Sequence, residues 1–416
     1  MNKPATSSSK VHAQLHIPPQ SIVLQRSIFF YRNLKGVIFP ERASESGLGN
    51  AADMLREGIF DFCNTYSGDV PLEAVEYKES VAELLKKGLS QSTQKKRDPV
   101  LFFTLPNLPL STEEGVHLER ARLISINEGR VLAFLNAEDH LTLAAICPDD
   151  SYQSVFSTLK IIERALDKRT PFAYNRTFGF LSPNLDHCGT GMLLSAYVKL
   201  VGLSLTRKLD AVFRALEAVG LTITPVFSRD CLIERVFADR PLAGSPVEAS
   251  AANKDAPQPD DDFGGIDAPG YIYRLDYDHE AACIEGQLSH MEAVLAELER
   301  QEHKARCMLL NNETHPLLDY VRRSYAIGTY ALQLYKSEAI DILSTMLLAA
   351  QYGLFPISKR KLLDLEVAFH EMVRIPTIYP LENSSPSDDN PDNETIITRS
   401  RNIRALCIQN LLSRFA

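Results

Sequence analysis

Few residue patterns in this 416-residue chain carry recognisable chemistry on their own. The Gly189-Thr190-Gly191 triplet is one of them. Glycines lack a Cβ, so such a turn can bring backbone close to a phosphate, although the same triplet also serves ordinary turns. Asp260, Asp261 and Asp262 suit either a bound cation or a solvated acidic loop, and the loop is the commoner case. The 10 histidines show no ligand spacing, and each alone is more often a surface or satisfied core residue. The 7 cysteines (Cys63, Cys147, Cys188, Cys231, Cys283, Cys307 and Cys407) form no CxxC pair, so neither a zinc site nor a disulfide framework is indicated. Reduced thiols and a cytoplasmic location fit that usage. The motifs GxxxxGKS/T, HExxH, GxSxG and GxGxxG do not occur.

The elements that must position these residues follow from pattern and composition. Apolar residues make up 45% and charged ones 23%, so the chain is globular, and its length calls for two or three domains. With 44 Lys plus Arg against 53 Asp plus Glu the net charge is -9, which excludes whole-protein attraction to nucleic acid or an anionic membrane. No apolar run of about 18 residues spans a bilayer, and Met1 to Lys10 lack the apolar core of a signal peptide. Residues 1–20 read as a flexible tail. β-Rich runs such as SIVLQRSIFFY, VLFFTLP, RVLAFLN and ITPVFS alternate with helical stretches such as Ser154 to Asp167. An Ala, Pro and Asp-rich stretch, 241–269, has too little apolar surface to fold and reads as a mobile acidic insertion. Beyond the strand-like GYIYRLDY, helical patterning dominates: 280–307, a helix capped by Ser337 and running to Tyr352, one over 359–373, and a last one over 400–414.

Three segments say more together. They are Arg32-Asn33-Leu34-Lys35-Gly36 with Phe39-Pro40, then Leu135-Asn136-Ala137-Glu138-Asp139-His140-Leu141, then Phe178-Gly179-Phe180-Leu181 running to Cys188-Gly189-Thr190-Gly191. In this order and spacing they resemble the ATP:guanido phosphotransferases, the family of creatine and arginine kinases. The helical final third, with its closing RNIRA, looks like that of the bacterial protein-arginine kinases of the McsB type. The resemblance covers roughly Leu24 to Leu412 and implies an α+β fold. A guanido-kinase-like catalytic domain of antiparallel sheet flanked by helices, 21–309, would precede a small all-α C-terminal domain, 310–416, that serves dimerisation.

Members of that family transfer the γ-phosphoryl group of Mg-ATP to a guanidinium nitrogen, a reaction catalysed by positioning and charge stabilisation. The resemblance gives Glu138 the role of base in the family's NEEDH motif and leaves Gly189, Thr190 and Gly191 as a remnant of the nucleotide turn. The motif's first glutamate is Ala137 here. The phosphate-facing arginines are replaced by Ser27, Phe29, Thr142 and Leu193, and Arg235 stands where a fifth lies. A carboxylate expected before Leu123 falls at Arg120, beside Glu119, and Asn184 takes the place of a family cysteine. A hydrogen bond to a charged group is worth roughly 1.5–3 kcal/mol, so four lost arginines remove about 6 kcal/mol, or about 10⁴-fold in phosphate affinity. Arg26, Arg176 and Lys199 are the conceivable substitutes. Arg404 and Ala405 match part of the RDxxRA phosphoarginine-sensing motif, whose leading pair reads Ser400-Arg401.

Three readings remain open from sequence. One is a pseudokinase acting through protein contacts, as a homodimer with a McsA-type zinc-binding activator as possible partner. The second is an active divergent arginine kinase using Mg-ATP, with Glu138 as base and Arg235 on the phosphates. The third is a nucleotide-independent regulator of a repressor or Clp-type chaperone.

Overall fold

The computed structural model describes residues 21–66, 72–84, 118–127, 129–147, 151–226, 269–277, 284–310, 316–351, 354 and 393–413. Arg235, the insertion expected at 241–269 (but for Pro269), the helix expected at 359–373, the tail 1–20 and the strand VLFFTLP lie outside these residues.

The strands are β1 (Val23–Arg32), β2 (Ala74–Glu76), β3 (Arg122–Ile126), β4 (Val131–Leu135), β5 (Leu141–Cys147), the short β6 (Tyr174–Asn175) and β7 (Gly179–Phe180), β8 (Met192–Lys199), β9 (Thr222–Pro225) and β10 (Ile272–Tyr277). The helices are α1 (Glu45–Thr65), α2 (Tyr152–Arg169), α3 (Val201–Leu205), α4 (Leu209–Glu217), α5 (Ile284–Leu310), α6 (Pro316–Tyr330), α7 (Lys336–Gln351) and α8 (Asn393–Leu412). Eight strands form one sheet in the order β2-β3-β4-β5-β1-β8-β10-β9, and its neighbours pair antiparallel. β6 and β7 make a separate hairpin.

Residues directly opposite across such strands share a face of the sheet. Ile28 and Phe30 on β1, Leu143 and Ala145 on β5 and Leu194 and Ala196 on β8 share one face. They enter a single core with Leu55 and Ile59 of α1, Leu159 and Ile162 of α2, and Leu288, Met291, Leu295 and Leu298 of α5. Each fully buried large apolar side chain here contributes about 1.5–3 kcal/mol. The helices start where the sequence supplies a cap: Ser44 Oγ accepts from Gly47 N (3.2 Å) and Ser151 Oγ from Ser154 N (3.4 Å). Lys168 and Arg169 complement the C-terminal dipole of α2.

The C-terminal helices α6, α7 and α8 share a second core through Leu317, Val321, Leu343, Ile408 and Leu412, which Tyr197, Val201 and Ile272 join from the end of the sheet. The helix expected from a Ser337 cap begins at Lys336 instead, because the Glu338 carboxylate reaches back to accept the Tyr335 N–H (2.9 Å). The last helix begins at Asn393, several residues before the expected Ser400. Among the described residues no helix is long and apolar enough to cross a membrane.

Candidate active site

β4 and β5 are joined by the turn Asn136 to His140, which the left-handed φ of 57° at Asn136 tightens. Asn136 N–H donates to the His140 carbonyl (3.0 Å), and its Nδ2 donates to the Leu48 carbonyl (2.7 Å). This turn separates Glu138 from Asp139. Asp139 is fully buried and accepts from Asn33 Nδ2 (2.5 Å) and Ser182 Oγ (2.6 Å), while His187 Nδ1 lies 2.8 Å from its second oxygen. Asn33 Oδ1 accepts the His140 N–H (3.0 Å), and His140 Nδ1 accepts the Leu34 N–H (3.3 Å). Burial pulls the His140 imidazole below its ordinary range, so the neutral, accepting ring is favoured. Asp139 and His140 therefore staple the turn to the end of β1 and to the segment 182–188. Glu138 faces outward with 22% of its side chain exposed, takes a hydrogen bond from Asn184 Nδ2 (2.7 Å) and lies 4.0 Å from His187 Nδ1.

The glycine turn is used by the fold itself. Gly191 carbonyl accepts from Tyr31 N (3.0 Å) and Arg32 Nη1 (2.7 Å), and Gly189 N–H donates to the Phe178 and Phe180 carbonyls (3.1 and 3.2 Å). Gly191 has φ 54°, and a Cβ there would stand 2.4 Å from Arg32 Nη1. Arg32 is itself buried, pairing with Glu163 of α2 (2.5 Å) and stacking on the Phe180 ring (3.6 Å). Burial pushes the Glu163 carboxyl up, but Arg32 and Lys160 outweigh it and hold it below the usual carboxylate range.

Ser27, Phe29, Thr142 and Leu193 converge on the sheet face opposite the helix-packed one. Leu193 is opposite Phe29, Thr142 opposite Tyr31, and Ser27 opposite Ser195. Ser27 is 1%, Phe29 2% and Thr142 6% exposed. Phe29 and Tyr31 pack with Leu123, Leu132, Phe134, Ala137 and Ala144 in an apolar cluster that also takes in Val81 and Leu84, with Leu193 against its edge. Rings run from this floor to the acid: Phe29 to Tyr31 is 6.4 Å between centroids, and Tyr31 to His187 is 3.5 Å with 4° between the planes. Burial raises the Tyr31 hydroxyl pKa, and Asp139, Asp276 and Glu138 add to it while Arg274 opposes.

The conceivable substitute cations are placed elsewhere or occupied. Arg26 lies on the helix-packed face beside Glu292 of α5 (3.6 Å). Arg176 is exposed in the β6–β7 turn. Lys199 is buried with Nζ donating to the Ser344 carbonyl of α7 (2.7 Å). Arg274, which sequence reasoning did not single out, reaches this face from β10 but pairs with Asp276 (2.7 Å), whose other oxygen accepts from Ser195 Oγ (2.7 Å). Arg120 lies near Glu45 (3.4 Å). Arg404 is buried, its Nη1 donating to the Leu334 carbonyl (3.1 Å). A triphosphate is held chiefly by cations, and on the described face these residues supply apolar rings and carboxylates instead. Among the described residues no group of three or more His, Cys, Asp or Glu is placed to hold a metal.

Asp139, Tyr31 and His187 are the participants that sequence reasoning missed. Asp139 lay within a quoted motif, but nothing local signals that His187, 48 residues on, closes onto it.

Residues 76–229 match the family model described as ATP:guanido phosphotransferase, C-terminal catalytic domain. A protein-arginine kinase of Halothermothrix orenii is 22% identical over 352 residues, 81% of each chain. Another, from Moorella thermoacetica, is 24% identical over 348 residues, covering 83% of this chain and 85% of the relative. A solved lombricine kinase covers 69% of each chain at 17% identity, with a TM-score of 0.42. Over residues 76–229 the chain is thus similar to the ATP:guanido phosphotransferase catalytic domain, and over most of its length it is similar to protein-arginine kinases.

Proposed function

We propose that this chain is a pseudokinase of the protein-arginine-kinase type, acting through protein contacts without nucleotide turnover. The observation that carries the reading is the sheet face at Ser27, Phe29, Thr142 and Leu193, where an apolar cluster and the carboxylates of Asp139 and Asp276 stand in place of phosphate-binding cations. We divide it into a catalytic-like unit over 21–309 and a C-terminal helical unit over 310–416. It is a cytoplasmic protein that dimerises through those helices and meets a zinc-binding activator, a repressor or a Clp-type chaperone.

Calorimetric titration with Mg-ADP and Mg-ATP tests this reading. No binding below millimolar concentration is expected, and micromolar binding overturns it. A second reading, a slow divergent arginine kinase, is favoured by one observation: Glu138 remains part-exposed, with an amide donor as its hydrogen-bond partner. It predicts phosphoarginine in a protein acceptor detected by mass spectrometry, lost in Glu138→Gln.

A further inference from the structure

The junction between the sheet and the C-terminal helices holds a buried cluster that the candidate site does not use. Lys199 closes β8 with its amine facing α7. Beside it on α5, Arg306 donates from Nη2 to the Lys199 carbonyl (3.2 Å) and from Nε to Glu302 (2.5 Å). Glu302 accepts in turn from Gly202 N and Leu203 N of α3 (2.6 and 2.8 Å). On the α7 side, Ser344 Oγ donates to the Gly270 carbonyl (2.8 Å) and Asp341 accepts the Gly270 N–H (2.5 Å). The hydroxyls of Tyr271 and of Tyr320 on α6 meet at 2.6 Å near Asp341.

Donors and acceptors do not balance at Lys199. An ammonium has three N–H donors, while among the described residues one acceptor, the Ser344 carbonyl, is within hydrogen-bond reach. Glu302, the carboxylate whose charge favours a protonated Lys199, has its oxygens already taken by Arg306 and two backbone N–H groups. A neutral amine has two N–H donors and a lone pair, so with one acceptor it leaves a single N–H unmet and no charge to desolvate; an ammonium in the same place leaves two N–H groups unmet and faces a guanidinium.

We propose that Lys199 is a proton-sensitive latch: as a neutral amine it seats the C-terminal helices on the sheet, and proton uptake releases them. Burial, followed by Arg306, pulls its pKa down to about 7, with Glu302 opposing. The sign follows from linkage. Once the helices lift and water reaches the amine, its pKa returns towards 10.5, so the released state holds more protons between about pH 7 and 10.5. Seating therefore strengthens about tenfold for each pH unit gained across that window, and levels off below it, where both states are charged.

Hydrogen exchange on the full chain at pH 7, 8 and 9, corrected for intrinsic exchange rates, reads the opening of α7. In the natural protein the opening equilibrium of the α7 amides is expected to fall about tenfold per pH unit, and in Lys199→Met to be independent of pH. Equal slopes in the two proteins, or a flat response in the natural one, overturn the proposal. Nitrogen-15 spectra of the lysine side chains in the natural protein give a check that does not depend on the variant folding. A Lys199 amine that loses its proton near pH 7 supports the latch, and one still charged at pH 9 overturns it.

Discussion

Adjacent residues of the motif Glu138-Asp139 have opposite jobs. Asp139 is buried with three polar partners, so Asp139→Ala strands the donors of Asn33, Ser182 and His187 and is expected to cost about 3 kcal/mol or more. Glu138→Gln, at a part-exposed carboxylate, is expected to change stability by less than about 0.5 kcal/mol. Urea denaturation separates the two, and the reverse order would remove the assignment of roles. Glycines offer a parallel contrast. Gly191→Ala meets Arg32 and a left-handed backbone and is expected to cost about 2 kcal/mol or more. Gly49→Ala, in α1 with nothing within 4 Å of the added methyl, is expected to stabilise by up to about 1 kcal/mol. If Gly191→Ala were tolerated, the turn would be preserved for a reason other than packing.

At the scale of elements, the Arg32–Glu163 pair fastens the end of β1 to α2 with both side chains almost fully buried. Glu163→Gln leaves the guanidinium uncompensated and is expected to cost about 3–5 kcal/mol, whereas replacing both partners by Met and Leu is expected to cost far less. The Glu163 carboxyl is held below its ordinary value, so its contribution is present above the unfolded carboxyl's pKa and is lost as pH falls through the folded one. Denaturation midpoints against pH should therefore show an acid-side loss in the natural protein that Glu163→Gln lacks. These elements were largely legible in the chain. The β-branched and aromatic run in SIVLQRSIFFY marks β1, and the spacing of Leu288, Met291, Leu295 and Leu298 marks the buried face of α5. What joins them was not legible, because Arg32 and Glu163 lie 131 positions apart and no local pattern pairs them. The same holds for His187 on Asp139 and for Lys199 on Ser344, where the partner comes from a different element. Once the register is known, the faces follow: Arg26 lies one residue from Ser27 and on the opposite side of the sheet, where it meets α5.

Over the whole molecule, the proposed loss of phosphate-binding cations would be tied to a gain in packing. The face that carries Phe29 holds a closed cluster continuous with β3, β4 and β5, so its residues now support the fold. This coupling can be tested by restoring a cation. Phe29→Arg would return the residue type that kinship leads one to expect there. If the pocket were still shaped for phosphate, the guanidinium would sit in solvent near its ligand, stability would hardly change, and affinity for Mg-ADP would rise. In the packed arrangement it must enter a cluster of Leu123, Leu132, Phe134 and Ala144, with Phe29 only 2% exposed. Burying an unpaired charge there is expected to cost at least about 3–5 kcal/mol, with no gain in nucleotide binding. Denaturation of Phe29→Arg beside calorimetric titration with Mg-ADP decides the matter. A stable variant that acquires micromolar affinity would mean that the cluster is a reversible filling of a working site, whereas a destabilised variant indifferent to nucleotide means that the fold now depends on having lost it.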